Sequence, residues 1–249
     1  MPLFGELTLG AALPRLPTLK DLDTEAWELP GAEILQLAWE VDDGTRALLP
    51  RAMHPAIPAY ITCVVGRYAS SPVGDFSLAL VRLMARAGVH PRGFVLGAVA
   101  TSAEAVAALR ERWGFPAEVG EVKLARYHDV VGATVARAGA VVLDVALANP
   151  ETISGGDVQY MPSVTLARVR EGGDARPQLV QIDPHYTFHR AERGRPRLRH
   201  FDVAGWNAAG MAIADPIAAS ATTCDTDLPR IRFVMDPEVP VVRGTRRIR

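Results

Sequence analysis

Lysine is nearly missing from this chain. Lys20 and Lys123 are the two lysines among 27 basic residues in 249. Lysine is the basic side chain that becomes a neutral amine nucleophile near neutral pH, whereas arginine keeps its proton. Lys20 lies in a polar N-terminal stretch, so amine chemistry by a side chain falls to Lys123. The competing reading is that an Arg-, Ala- and Val-rich composition has replaced exposed lysines throughout. Cysteine is equally scarce. Cys63 and Cys224 make neither a disulfide framework nor a metal quartet, and their apolar or small neighbours mark them as buried thiols. A net charge of −1 gives no electrostatic reason to expect nucleic acid or an anionic membrane as partner. No apolar stretch reaches the roughly 18 residues of a membrane span. No basic segment followed by an apolar one opens the chain, and the expected location is the cytoplasm. There is no phosphate loop, dinucleotide fingerprint or Gly-x-Ser-x-Gly elbow, so no cofactor is expected. His185 and His189 sit four apart in a strand-like run, which separates them by about 13 Å and excludes a shared metal ion.

What is present is apolar: 49% hydrophobic against 22% charged residues, enough to build a core without staples. We read a single domain over 1–249. Residues 1–30 form a Pro- and Leu-rich N-terminal arm, and the basic run Arg243-Gly-Thr-Arg246-Arg247-Ile-Arg249 forms a solvated C-terminal tail. Apolar runs broken by Gly, Pro and Asp predict strands at Ile34–Val41, Ala59–Tyr68, Phe76–Ala85, Phe94–Val99, Val122–Tyr127, Val130–Arg137, Ala140–Ala148, Ser163–Val169, Gln178–Ile182 and Ile231–Met235. Gly44–Leu49, stopped by Pro50, and an Ala-rich stretch around Trp206–Ile217 predict short helices, and Gly88–Gly93, Gly155-Gly156 and Gly172-Gly173 predict turns. The clearest helix is 102–113. Thr101-Ser-Ala-Glu104 reads as a capping box, Val106, Leu109 and Trp113 share a face, and Gly114 with Pro116 ends it. Many strands around one good helix indicate α+β, mainly antiparallel sheet folded or closed on itself.

The stretch Ala108-Leu-Arg-Glu-Arg-Trp-Gly-Phe-Pro116, with Gly120 and Lys123-Leu124, carries a resemblance. So do Val41-Asp-Asp-Gly-Thr-Arg-Ala-Leu-Leu-Pro50 ahead of His54-Pro55, Ser77-Leu-Ala-Leu-Val-Arg82, Arg92-Gly-Phe94 and Phe201-Asp-Val-Ala204. Over about residues 33–235 the chain resembles the acetoacetate decarboxylase superfamily. The resemblance implies a β-cone or barrel with an internal apolar pocket, few helices and homo-oligomers. In the family's decarboxylases two adjacent lysines follow the proline. The first forms a Schiff base with a keto acid, and the imine takes up the electrons left as carbon dioxide departs. Desolvation or a second cation keeps that amine neutral, as is known for acetoacetate decarboxylase itself. Here Ala117 stands at the position of the Schiff-base lysine and Glu118 at that of its partner. Glu40 takes the place of a pocket arginine, and Asp75 falls near a family carboxylate.

In a strand, Glu121 and Lys123 point to one face. A carboxylate beside an amine raises its pKa, the wrong direction for a nucleophile. Lys123 is then either a displaced nucleophile or a surface-paired residue. Glu118 and Glu121 serve as general acid or base if burial lifts a carboxyl towards about 6–7; otherwise they are solvated. Tyr160 is a candidate proton or hydrogen-bond donor. Arg82, turned inward, would clamp a substrate carboxylate, and Glu40, Trp113, Phe115 and Gln159 complete the expected substrate-binding set. On this superfamily's scaffold the resemblance implies a lyase or cyclase acting on a keto acid or polyketide-like small molecule, by decarboxylation, aldol/dehydration or cyclisation, and the departure at Ala117 favours a reaction other than acetoacetate decarboxylation. The alternative is a non-catalytic small-molecule binding protein that retained the pocket. The expected partners are a small-molecule substrate and further copies of the chain, with no nucleic acid and no membrane.

Overall fold

Period-two alternation of apolar side chains drives most of this chain into extended strands. In the computed structural model, which describes residues 3–171 and 174–248, fifteen strands form one sheet. They are β1 (Trp27–Val41), β2 (His54–Pro55), β3 (Tyr60–Tyr68), β4 (Phe76–Ala87), β5 (His90–Ala100), β6 (Ala117–Val119), β7 (Glu121–Arg126), β8 (Val130–Arg137), β9 (Ala140–Thr152), β10 (Ser163–Glu171), β11 (Asp174–Ile182), β12 (Tyr186–Phe201), β13 (Ile213–Leu228), β14 (Phe233–Met235) and β15 (Thr245–Arg247). The helices are α1 (Leu9–Ala12), α2 (Ala103–Trp113) and α3 (Val241–Gly244). The hydrogen-bonded order is β15-β14-β11-β10-β5-β4-β3-β1-β13-β12-β9-β8-β7, with β2 on β4 and β6 on β5. Neighbouring strands are antiparallel except β5 with β10 and β5 with β6. The path has two ends and is not a closed barrel, but it curls: β7, at one end, packs across β3, β4 and β5.

The curl gives each face of the central strands its own core. On the inner face Leu35, Leu37 and Trp39 of β1 pack with Ile61, Val135, Leu143 and the loop residue Trp206. On the other face α2 closes over Leu80, Val95 and Val180 with Leu109, Trp113 and Phe115. Trp113 donates its Nε1 hydrogen to the Pro229 carbonyl at 2.7 Å and meets Trp27 edge-on, with centroids 5.0 Å apart.

The helix start corrects the expected capping box. Ser102 is the N-cap, its Oγ accepting from the Ala105 amide at 3.0 Å, while Thr101 Oγ1 accepts from the Ser77 amide on β4. At the other end Gly114 adopts φ 68 as the left-handed residue that stops the helix. Three further expectations change. The Ala-rich stretch after Trp206 is turn and then β13, whose side chains are paired in register along β1. Gly44–Leu49 is a 3-10 turn over Asp43–Leu48. Thr245–Arg247 of the basic tail is the edge strand β15, antiparallel to β14, with exposed side chains. The expected turn at Gly172-Gly173 lies outside the described residues.

Candidate active site

Cross-strand register fixes which side chains meet. Gln36 of β1 is opposite Val64 of β3, Val64 opposite Leu80 of β4, Leu80 opposite Ala98 of β5, and Ala98 opposite Ala117 of β6. Directly paired residues point to the same face of a sheet, so these five form one rung on the face covered by α2. The adjacent rung carries Thr62, Arg82 and Val95, about 7 Å along the strand direction. Ala117 and Arg82 therefore lie on the same face of the sheet, and Ala117 is buried at 1% exposure in the cluster holding Phe115, Leu78 and Leu80, without lining the Arg82 cavity.

Arg82 is the charged group of this space. It is 4% exposed, and its guanidinium is held by neutral acceptors alone. Nε donates to Thr62 Oγ1 at 3.0 Å, Nη1 to the Met161 carbonyl at 2.7 Å and Ser163 Oγ at 3.2 Å, and Nη2 to Gln36 Oε1 at 2.9 Å. Gln36 is itself anchored, its Nε2 donating to the Gln159 carbonyl at 3.2 Å. An arginine has five N–H donors, and the fifth, on Nη2, has no hydrogen-bond partner among the described residues. No carboxylate pairs with Arg82 among them either. Burial lowers its pKa from the ordinary value, yet a guanidinium stays protonated in proteins. The stem needs Gly93, where an added Cβ would come within 2.9 Å of Arg82 Cδ.

Around this cation stand tyrosines. Tyr160 shares a 2.9 Å hydrogen bond with Thr222 and packs edge-on against Tyr186 at 5.0 Å and Phe188 at 5.7 Å. Burial pushes the Tyr68 and Tyr160 phenols well above their ordinary values. It raises Tyr186 to about 12, against an opposing pull from Arg82. All three are neutral hydrogen-bond donors at neutral pH. Asp227 borders the cavity at the β13 end with its side chain on the face opposite to that of Thr226 and Tyr186, its Oδ1 accepting from the His185 amide at 2.6 Å. Gln36, Tyr68, Arg82, Phe115, Tyr160, Tyr186 and Asp227 line a cavity of about 40 Å³. A larger apolar cavity of about 260 Å³ lies under the N-terminal arm, but its charged lining residue, Arg15, is exposed.

The sequence-predicted residues divide between pocket and surface. Arg82, Phe115 and Tyr160 line the cavity, and Gln159 touches it through its carbonyl on Gln36. Lys123 and Glu121 do share a face of β7, but that face is solvent: they pair with each other at 3.0 Å, 74% and 68% exposed. Glu118 is exposed and pairs with Arg137. Glu40 is half-buried beyond the Arg82 rung and does not line the cavity, and Trp113 is buried against Trp27 and Pro229. Arg67 pairs with Glu33 at the surface, and Asp75 is exposed. Sequence reasoning missed Gln36, Tyr68, Tyr186 and Asp227. Gln36 had a signal, a polar residue at an inward position of the apolar run Ile34–Val41. Tyr186 was hidden in a run read for its histidines.

Comparison with known proteins agrees with this fold. The family model for acetoacetate decarboxylase matches residues 13–237. Acetoacetate decarboxylase from Legionella pneumophila superposes with a TM-score of 0.74 at 20% identity, covering 84% of this chain and 86% of that one. The enduracididine biosynthesis enzyme MppR, in its complex with pyruvate, gives 0.68 at 17% identity, over 84% of this chain and 90% of its own. An acetoacetate decarboxylase-like enzyme from Sphingomonas wittichii RW1 gives 0.61 at 18%, over 84% and 92%. No curated protein matches the chain. With the family model matching residues 13–237 of 249, this chain belongs to the acetoacetate decarboxylase family.

Proposed function

We propose that this protein is an acetoacetate decarboxylase-like enzyme that binds a small keto acid without a covalent link and performs a reaction other than acetoacetate decarboxylation. The observation that carries this reading is the burial of Ala117 on the sheet face that also bears Arg82, at the position the family resemblance assigns to the reactive amine. The chain's two lysines offer no replacement. Lys20 pairs with Glu111 at 3.2 Å and Lys123 with Glu121 at 3.0 Å, both well exposed. In place of the amine, Arg82 supplies a buried positive charge for the substrate carboxylate, Tyr160 and Tyr186 supply donors for a carbonyl, and Phe115 an apolar wall. The free volume of about 40 Å³ is roughly three times what one water needs. That favours the smallest keto acids over polyketide chains, in keeping with the pyruvate complex of MppR. Aldol addition, dehydration and cyclisation all fit a site that positions a keto acid by charge and shape.

The same alanine supports a second reading, a binding protein that kept the pocket and lost turnover. Borohydride treatment in the presence of pyruvate or acetoacetate tests the covalent question. The expected result is no mass adduct alongside saturable binding by calorimetry. An adduct on either lysine sinks the non-covalent reading, and binding without any chemical change in the acid moves the protein to the second.

A further inference from the structure

Every hydrogen bond that Arg82 donates among the described residues ends on an uncharged oxygen: Thr62 Oγ1, the Met161 carbonyl, Ser163 Oγ and Gln36 Oε1. Carboxylates on the surrounding strands are engaged elsewhere. Glu33 pairs with Arg67, Asp183 with Arg92 and Asp225 with His189. Asp227 accepts from the His185 amide, on the face of β13 away from Thr226. Gln36 differs from the other three acceptors. It lines the cavity itself, and two partners of opposite kind fix which way round its amide lies. Oε1 accepts from Arg82 Nη2 at 2.9 Å, while Nε2 donates to the Gln159 carbonyl at 3.2 Å. A glutamate has the same shape but no N–H. One of its oxygens would pair with the guanidinium, and the other would meet the Gln159 carbonyl oxygen to oxygen. The second N–H of Gln36 Nε2 has no hydrogen-bond partner among the described residues. It and the free N–H of Arg82 Nη2 are left over at this end of the cavity.

We propose that Gln36 is the specificity-determining residue of this pocket: its neutral amide leaves the Arg82 charge uncompensated, and the pocket thereby selects a small monoanionic 2-oxo acid over an uncharged carbonyl compound of the same size. The proposal rests on the keto-acid reading above. Gln36 acts through Arg82, as a positioning residue. It holds Nη2 by one N–H, keeps the other free and does not cancel the charge. A buried cation without a counter-ion destabilises the empty site, and an incoming carboxylate supplies that counter-ion. A neutral ketone or amide of the same shape cannot, so the discrimination comes from the missing charge at position 36 and not from the cavity walls. In Gln36→Glu the guanidinium would be satisfied before any acid arrived, and a second carboxylate would meet a like charge.

The test compares pyruvate with pyruvamide, its uncharged counterpart of equal size, by calorimetric titration. Removing one partner of a buried charge pair weakens binding by roughly 30-fold or more, so the wild type is expected to prefer pyruvate by at least that factor. Gln36→Glu is expected to weaken pyruvate by roughly 30-fold or more and to hold pyruvamide within about threefold of the wild type. Gln36→Met keeps the size without a charge and is expected to keep the preference for the acid, even where both affinities fall. A purely structural role would lower the two ligands together, so their ratio separates selection from scaffold. Circular dichroism establishes that each variant folds. If Gln36→Glu does not, Ser163→Asp sets a carboxylate against Arg82 Nη1 and carries the same expectation. A wild type that binds both ligands alike, a Gln36→Glu protein that still prefers pyruvate, or equal losses for both ligands overturns the proposal while leaving the keto-acid site standing. If pyruvate does not bind the wild type, the keto-acid reading fails and the proposal falls with it.

Discussion

Replacing Arg82 with methionine separates binding from stability in a way that a structural arginine would not. On the binding side, a bound carboxylate would form one or two charge-assisted hydrogen bonds with the guanidinium in a water-excluded site. Removing one partner of such a buried pair costs about 2–5 kcal/mol, which is roughly 30- to 4,000-fold in affinity at a factor of ten per 1.4 kcal/mol. On the stability side the effects oppose one another. Met161 O and Gln36 Oε1 lose a donor at about 1–3 kcal/mol each, while the Thr62 and Ser163 hydroxyls rotate to other partners. Against this, the ligand-free protein no longer buries a charge that has no counter-ion, relieving a penalty of several kcal/mol. The expected net change is within about 2 kcal/mol, less than the ~3–5 kcal/mol for breaking a buried ion pair. Calorimetric titration with pyruvate and urea unfolding of the ligand-free protein measure the two quantities. Unchanged affinity for the acid, or a loss of stability above about 4 kcal/mol, would refute the reasoning, because either result makes Arg82 part of the scaffold.

Lys123→Ala is expected to leave substrate binding and turnover unchanged and to shift stability by less than about 0.5 kcal/mol, since both members of its ion pair are well exposed; steady-state kinetics and urea unfolding check this, and a tenfold loss of turnover would restore a role for the amine. The Asp225 carboxyl is held below its ordinary pKa of 3.8, first by the Gly31 amide and then by His189. A depressed folded pKa stabilises above the unfolded value and loses that contribution as pH falls through the folded value. Asp225→Asn is therefore expected to flatten the fall of stability below about pH 4, in urea titrations from pH 6 to 3, and an unchanged pH profile would remove Asp225 from the acid response.

The legible strands were those whose own side chains alternate. Val130–Arg137 is β8 to the residue, because Val131, Ala133 and Val135 go inward and their neighbours outward. Arg82 was legible too, as a lone charge in the run Leu78-Ala-Leu-Val-Arg-Leu-Met84. The strands β12 and β13 were not. β12 spends its outward positions on Arg193, Arg195, Arg197 and Arg199, and β13 is built from Ala, Thr, Ser and Asp. Ala and Asp have weak strand preference of their own, the three threonines of β13 stand among them, and the extended state is imposed by β9 and β1 on either side. Missing those strands meant missing Tyr186, which β12 carries into the pocket. For Lys123 the face shared with Glu121 was legible, while the choice between pocket and surface stays open in the sequence and falls to the surface in the structure. Which face of β7 turns inward depends on how the sheet curls over β3, β4 and β5, and a local pattern holds no record of that.

The place of β1 in the sheet also bears on synthesis at the ribosome. β1 is hydrogen-bonded to β3 on one side and to β13 on the other, with Val41 opposite Ile213. The first partner follows within a few dozen residues, the second only after about 170 more. At about 5–20 residues per second, one edge of the longest central apolar strand, with Leu35, Leu37 and Trp39 along it, stays unpaired for roughly 10–30 s on each nascent chain. During that interval it is an open template for other chains. Chaperone dependence and inclusion-body formation on overexpression are expected to track translation speed between codons 41 and 228, and slowing that stretch lengthens the exposure.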